Sequence, residues 1–281
     1  MTLETIKCPG SNICFPFLSP LQQNDRIHYI SAGTGEILEY SKTKMEHKVI
    51  VCTGGVPLGA CFDANGTLHI VDAAHAAILR SDSSNQPEVL VRSYEDQTFR
   101  GPSSIILFND GTIFFTDSGP FGETTLENRR GSVFCIGPSP SGAKTLRPIL
   151  YECLAHPCAI SIVNDDVLLV AEMMMNRILR LVRTPGNIYH SSVFYQCGGG
   201  LGPSSVICDT KGNIFVGHYD FAHTATKGHI SVLNERGTIT HTLQVPGPEI
   251  TGLCLSRDEA FVYVTESSTN SIYCVPTPLN K

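Results

Sequence analysis

A chain of 281 residues with 42% hydrophobic and 16% charged residues has the composition of a well-filled globular core, which excludes intrinsic disorder. Its net charge of −6, with no long run of lysine or arginine, excludes the electrostatic footprint of a nucleic-acid binder. No stretch is apolar enough to span a bilayer as a helix, and residues 1–10 hold no signal-peptide core, so a soluble cytoplasmic protein is expected.

Taken in chain order, six short apolar runs dominate. They are Ile27-His-Tyr-Ile-Ser31, Leu68-His-Ile-Val-Asp72, Ile113-Phe-Phe-Thr-Asp117, Leu168-Leu-Val-Ala-Glu172, Ile214-Phe-Val-Gly-His218 and Val262-Tyr-Val-Thr-Glu266. They recur about every 40–55 residues, the period of propeller blades. Each repeat opens with a strand after Pro or Gly, turns, enters the run, and then passes through a variable loop to a third strand. Asn65-Gly66 and Asp110-Gly111 sit between apolar segments, where primed hairpin turns need positive φ. The segment from Glu172 to Arg180 looks helical in isolation, but the other repeats have a turn and a third strand there, and it is read the same way.

The expected fold is all-β: one domain over residues 1–281, a six-bladed β-propeller of four-stranded antiparallel blades. Residues before Pro16 are candidates for the outer strand of the last blade. The eleven cysteines are scattered through apolar strands, as at Cys135 and Cys254, and are expected to be reduced and mostly buried.

Because the first and second strands of a blade run antiparallel, the start of one and the end of the other share a face. That face collects Cys14, Leu58, Ser103, Cys158, Ser204 and Thr251 from first strands. From second strands it collects Ser31, Asp72, Asp117, Glu172, His218 and Glu266. The long loops 118–131 and 219–228 also belong to it. Two readings of the acidic groups stand open. They hold a hard cation and tune one another's pKa, or each accepts bonds from backbone amides of nearby turns. On the first reading Asp117, Glu172 and His218 are the candidate catalytic groups. Ser103, Cys158, Ser204, Phe121, Tyr219, Phe221 and Glu266 are candidate substrate- or partner-binding residues. No metal ligand is assigned from the residues themselves.

Three phrases carry a family likeness: Gly55-Val-Pro-Leu-Gly59 with Asp72-Ala, Phe115-Thr-Asp-Ser118 with Gly131-Ser-Val, and Val170-Ala-Glu172 with Asn176-Arg-Ile178. The chain resembles the propeller family of gluconolactonases, senescence marker protein 30, luciferin-regenerating enzyme and strictosidine-synthase-like proteins, to which NHL-repeat propellers are related. The resemblance implies one divalent cation, calcium or zinc, in the channel, held by Glu, two Asn and Asp. Those positions fall here on Cys14, Ser103, Cys158 and Ser204, and all four depart from the pattern. Neutral hydroxyls and thiols replace carboxylate and amide oxygens poorly around a hard cation. The resemblance therefore implies hydrolysis of a small lactone or ester at the channel mouth, with a degenerate metal site. The alternative is a non-catalytic scaffold that presents the loop-bearing face to a protein partner.

Overall fold

A computed structural model describes residues 3–19, 26–82, 86–119, 123–138, 144–222 and 225–278. Six four-stranded antiparallel sheets are arranged as the blades of a propeller. Blade I is Ile13–Phe17, Arg26–Ser31, Glu36–Ser41 and Glu46–Cys52. Blade II is Pro57–Phe62, Leu68–Asp72, Ala77–Ser81 and Glu88–Val91. Blade III is Pro102–Leu107, Ile113–Asp117, Gly131–Pro138 and Lys144–Leu154. Blade IV is Pro157–Asn164, Val167–Glu172, Arg177–Thr184 and Ile188–Gln196. Blade V is Gly202–Cys208, Ile214–Tyr219, Gly228–Leu233 and Ile239–Val245. Blade VI is Ile250–Leu255, Phe261–Glu266 and Ser271–Pro276, with Glu4–Lys7 as its outer strand.

The sequence pattern follows from burial. Second strands are covered on both faces by the adjacent blades, so Leu68–Asp72 and Ile113–Asp117 are buried at every position. Buried on both sides, a strand reads as a continuous apolar run rather than an alternation. Fourth strands lie on the rim, and Glu46–Cys52 is mostly exposed. Each of the six seams between blades holds its own apolar cluster. At the seam between blades II and III, for example, Phe115 stacks on Phe134 with ring centroids 5.3 Å apart.

Ring closure confirms the expected use of the N-terminal segment. Glu4 to Lys7 pair antiparallel with Cys274 to Ser271, and Ile6 is buried in the seam between blades VI and I. The Glu172–Arg180 segment is a single 3-10 turn, Met173–Met175, that ends on Asn176 at φ 53° and enters a strand. One element was not anticipated: a small hairpin of Ser93–Tyr94 with Gln97–Thr98 between blades II and III. Among the described residues no helix is long and apolar enough to cross a membrane.

Candidate functional site at the channel mouth

The first strands of neighbouring blades pack against one another around the axis. In blades II to VI the first strand opens on a pair with the last part of the second: Pro57 with Asp72, Pro102 with Asp117, Pro157 with Glu172, Pro203 with His218 and Ile250 with Glu266. Directly after each pair the register shifts, which places Leu58, Ser103, Cys158, Ser204 and Thr251 in a bulge. Bulges re-aim side chains at barrel and propeller rims. The expected face is therefore real, and the second strands that end at Asp117 and Tyr219 end on it.

The carboxylates on this face are held by their own connectors, although Asp72 Oδ2 is buried with no hydrogen bond among the described residues. Asp72 Oδ1 accepts from the amides of Val56 and His75, each at 3.0 Å. Asp117 accepts from the amides of Arg100 and Gly101, the latter at 2.6 Å. Glu172 accepts from the Ala155 amide and from Arg177 Nε, both at 2.7 Å. Glu266 accepts from the amides of Glu249, Ser268 and Thr269 and from the hydroxyls of Ser268 and Thr269. In blade I, Ser31 Oγ takes the same part with the Ser11 amide. Each group pins the connector that enters its own blade, and neighbouring glycines make the room. A Cβ on Gly247 would stand 2.2 Å from Glu266, and one on Gly55 would stand 2.4 Å from Asp72. Burial raises the Asp117 pKa, opposed by its backbone amides. The recess beside Asp117, lined by Arg100, Arg130, Tyr151 and Glu152, encloses about 10 Å³, barely one water.

His218 is buried. Its Nε2 lies 3.0 Å from Ser231 Oγ, and its ring stacks on His229 with centroids 4.2 Å apart. Burial, reinforced by His229, pulls its pKa down to about 4, so the ring is neutral at pH 7. Tyr219 follows it, half-buried, with its ring 6.3 Å from that of Phe221. Phe221 is 62% exposed on the loop-bearing face. Phe121 lies outside the described residues.

The bulged residues form a circumferential hydrogen-bond chain. Ser103 Oγ donates to the Pro157 carbonyl at 3.2 Å, Cys158 Sγ to Pro203 at 3.2 Å, Ser204 Oγ to Ile250 at 2.6 Å, and Thr251 Oγ1 to Ile13 at 2.7 Å. Cys14 Sγ continues to the Leu58 carbonyl at 3.9 Å. Every step runs from one blade to the next. The chain breaks at Leu58, whose side chain has nothing to donate. Burial pushes the Cys14 and Cys158 thiols up to about 12, so both keep the proton that makes them donors.

A family model described as SMP-30/Gluconolactonase/LRE-like region matches residues 21–255. The chain belongs to this family. A curated relative, lactonase drp35 of Staphylococcus haemolyticus, is 24% identical over 163 residues, 56% of this chain and 46% of the relative. The chain spans about half the length of the curated relatives it matches. Among solved structures, a gluconolactonase from Xanthomonas campestris superposes with a TM-score of 0.80 at 19% identity, covering 98% of this chain and 89% of that one. A calcium-binding regucalcin from Agrobacterium tumefaciens gives 0.77 at 14% identity, covering 96% and 91%. At these identities the superpositions show the fold.

The cation that the SMP-30/gluconolactonase likeness implies does not fit the residues present. Cys14, Ser103, Cys158 and Ser204 are neutral, and their protons point at backbone carbonyls rather than leaving an oxygen cage open. Hard cations require several anionic or amide oxygens. Among the described residues no group of three or more His, Cys, Asp or Glu side chains is placed to hold a metal.

The structure thus gathers Asp117, Glu172, His218 and Glu266 onto one face, each engaged with its own blade. Sequence reasoning did not find the interblade chain, although the repeated Gly-Pro-Ser-Ser ending on Ser104 and Ser205 was its visible trace. Clefts of about 430 and 470 Å³ open on the opposite face, beside the turns between first and second strands.

Proposed function

We propose that this protein is an SMP-30/gluconolactonase-family propeller that works by binding at its loop-bearing face, without cation-dependent hydrolysis. The observation that carries this reading is the interblade chain at the family's ligand positions: Ser103, Cys158 and Ser204 stitch blades together where ligands would face a cation. A protein partner suits that face, because exposed Phe221 beside Tyr219 offers an aromatic anchor of the kind that dominates interface energy. The eleven thiols, all free, suit a reducing compartment.

The test is metal content of protein purified without chelator, measured beside hydrolysis of small lactones and esters with and without added calcium, magnesium or zinc. Substoichiometric metal and no turnover are expected. Stoichiometric metal with turnover would overturn the reading.

A second reading, hydrolysis of a small lactone or ester at the channel mouth, is favoured by the family match and by lactonases among the relatives. It assigns water activation to Asp117, Glu172 or His218. It requires that Asp117→Asn or His218→Ala abolish turnover while leaving the melting temperature unchanged.

A further inference from the structure

On the face opposite the channel mouth, the two interblade clefts differ in charge. In the cleft between blades III and IV one arginine has a carboxylate partner and the other has neutral acceptors. Arg183 pairs with Asp166 at 2.9 Å, and Arg147 donates to Cys135 Sγ at 3.0 Å and to the Asn187 carbonyl at 3.3 Å. Asp110 and Asp165 add negative charge to its lining. The cleft between blades IV and V, about 470 Å³, has a floor of Val163, Leu169, Phe194 and Ile214. Arg180, Lys211 and Arg236 line it from three separate elements. Among the described residues none of these three cations has a carboxylate oxygen within 4.0 Å.

Two acids also line the cleft, so three cations stand against two carboxylates and the lining is positive by one charge. Asp209 is buried and accepts from the amides of Lys211 and Asn213 and from Asn213 Nδ2. Glu235 is on an exposed turn. The turn that carries Lys211 is rigidly held, because Glu259 of blade VI grips both the amide and the hydroxyl of Thr210 at 2.8 Å. A chain of net charge −6 thus keeps three unpaired cations around one apolar floor.

We infer that this cleft binds a small phosphate monoester. The phosphate dianion sits among Arg180, Lys211 and Arg236, and the apolar or aromatic body of the ester rests on Leu169, Phe194 and Ile214. Guanidinium forks match phosphate geometry, and the three free oxygens of a phosphate monoester can each meet a different cation. The volume lies within the range of small-molecule sites. This inference stands apart from the channel mouth and does not depend on how that face is used.

Phenyl phosphate is the probe, titrated by calorimetry or by NMR shifts against benzyl alcohol and inorganic phosphate at two salt concentrations. Phenyl phosphate is expected to bind at least about tenfold more tightly than either comparator, more weakly at high salt. Arg180→Gln and Arg236→Gln, both at exposed side chains, are each expected to weaken it about tenfold at unchanged melting temperature. Arg183→Gln in the neighbouring cleft should change nothing. Phe194→Ala should narrow the preference for phenyl phosphate over inorganic phosphate. Equal affinity in the arginine variants and the parent protein, or no preference for the phenyl group, would defeat the proposal.

Discussion

The two faces of the disc treat charge in opposite ways. At the channel mouth Asp72, Asp117, Glu172 and Glu266 are buried, and each accepts bonds from the backbone of its own blade's connector. On the opposite face Arg180, Lys211 and Arg236 stand over an apolar floor without an ion-pair partner among the described residues. Titratable groups converge in both places, but at the channel mouth they are gripped by the chain's own connectors, whereas in the cleft no ion pair among the described residues holds the three cations. The partner of a charged group says more about its role than its place in a repeat.

The largest expected effect breaks or sharpens that contrast. If the channel-mouth carboxylates are braces, Glu172→Ala should cost about 3 kcal/mol of unfolding free energy, because it strands the partly buried Arg177 guanidinium and the Ala155 amide. Glu266→Ala should cost a similar amount, and Asp117→Asn should lower the denaturation midpoint as well. Arg180→Gln and Arg236→Gln should leave urea midpoints alone. A series in which the carboxylate variants keep parental stability would remove the brace reading and revive a catalytic one.

Acidification comes next. The His218 pKa is down at about 4, while an unfolded histidine titrates near ~6.5. Between these values the unfolded chain binds the extra proton, so stability is full above pH 6.5 and falls as pH drops toward 4. Complete protonation costs on the order of 3 kcal/mol. Burial lowers the neighbouring His229 pKa too, so the pair should act in the same direction. Urea midpoints followed from pH 7 to 4 should show a shallower decline in His218→Gln; an unchanged slope would mean that the stacked pair is already open to solvent.

Much of the fold was legible because burial is uneven. The second strands, covered on both faces, wrote themselves as apolar runs, and turns such as Asp63 to Gly66 carried their own signal, with Gly66 at φ 85°. Rim strands such as Ile188–Gln196 are half exposed, so their residues do not alternate clearly enough to be placed. At the channel mouth the sequence located the groups but left two roles open. An Asp at a strand end looks the same whether it faces substrate or a connector, and the deciding atoms are the amides of residues 100 and 101. The basic cleft was illegible for a different reason. Its cations are spread from residue 180 to residue 236 and meet only because two blades are neighbours.

A smaller effect concerns the interblade chain. Ser204→Ala removes the bond to the Ile250 carbonyl, and Thr251→Val removes the bond to the Ile13 carbonyl. Each should cost about 1 kcal/mol. Both substitutions keep the bulge, so a loss of several kcal/mol at either site would mean that the chain does more than tie adjacent blades.

The smallest expected effect is the response to calcium. A ligand that binds only the folded state stabilises it by a term that grows with the ratio of its concentration to its dissociation constant. The four family ligand positions here offer two protonated thiols and two hydroxyls turned toward carbonyls. Millimolar calcium should therefore leave the melting temperature where it is. The combined replacement Cys14→Glu, Ser103→Asn, Cys158→Asn and Ser204→Asp should reverse the pattern. It removes four donors from the interblade chain, which lowers stability without calcium, and it restores anionic and amide oxygens, which makes stability rise when calcium is added. A calcium-dependent shift in the parent protein would show that hydroxyls and thiols at these positions still leave room for the cation. A destabilised variant that ignores calcium would show that the bulges no longer aim their side chains at a common point.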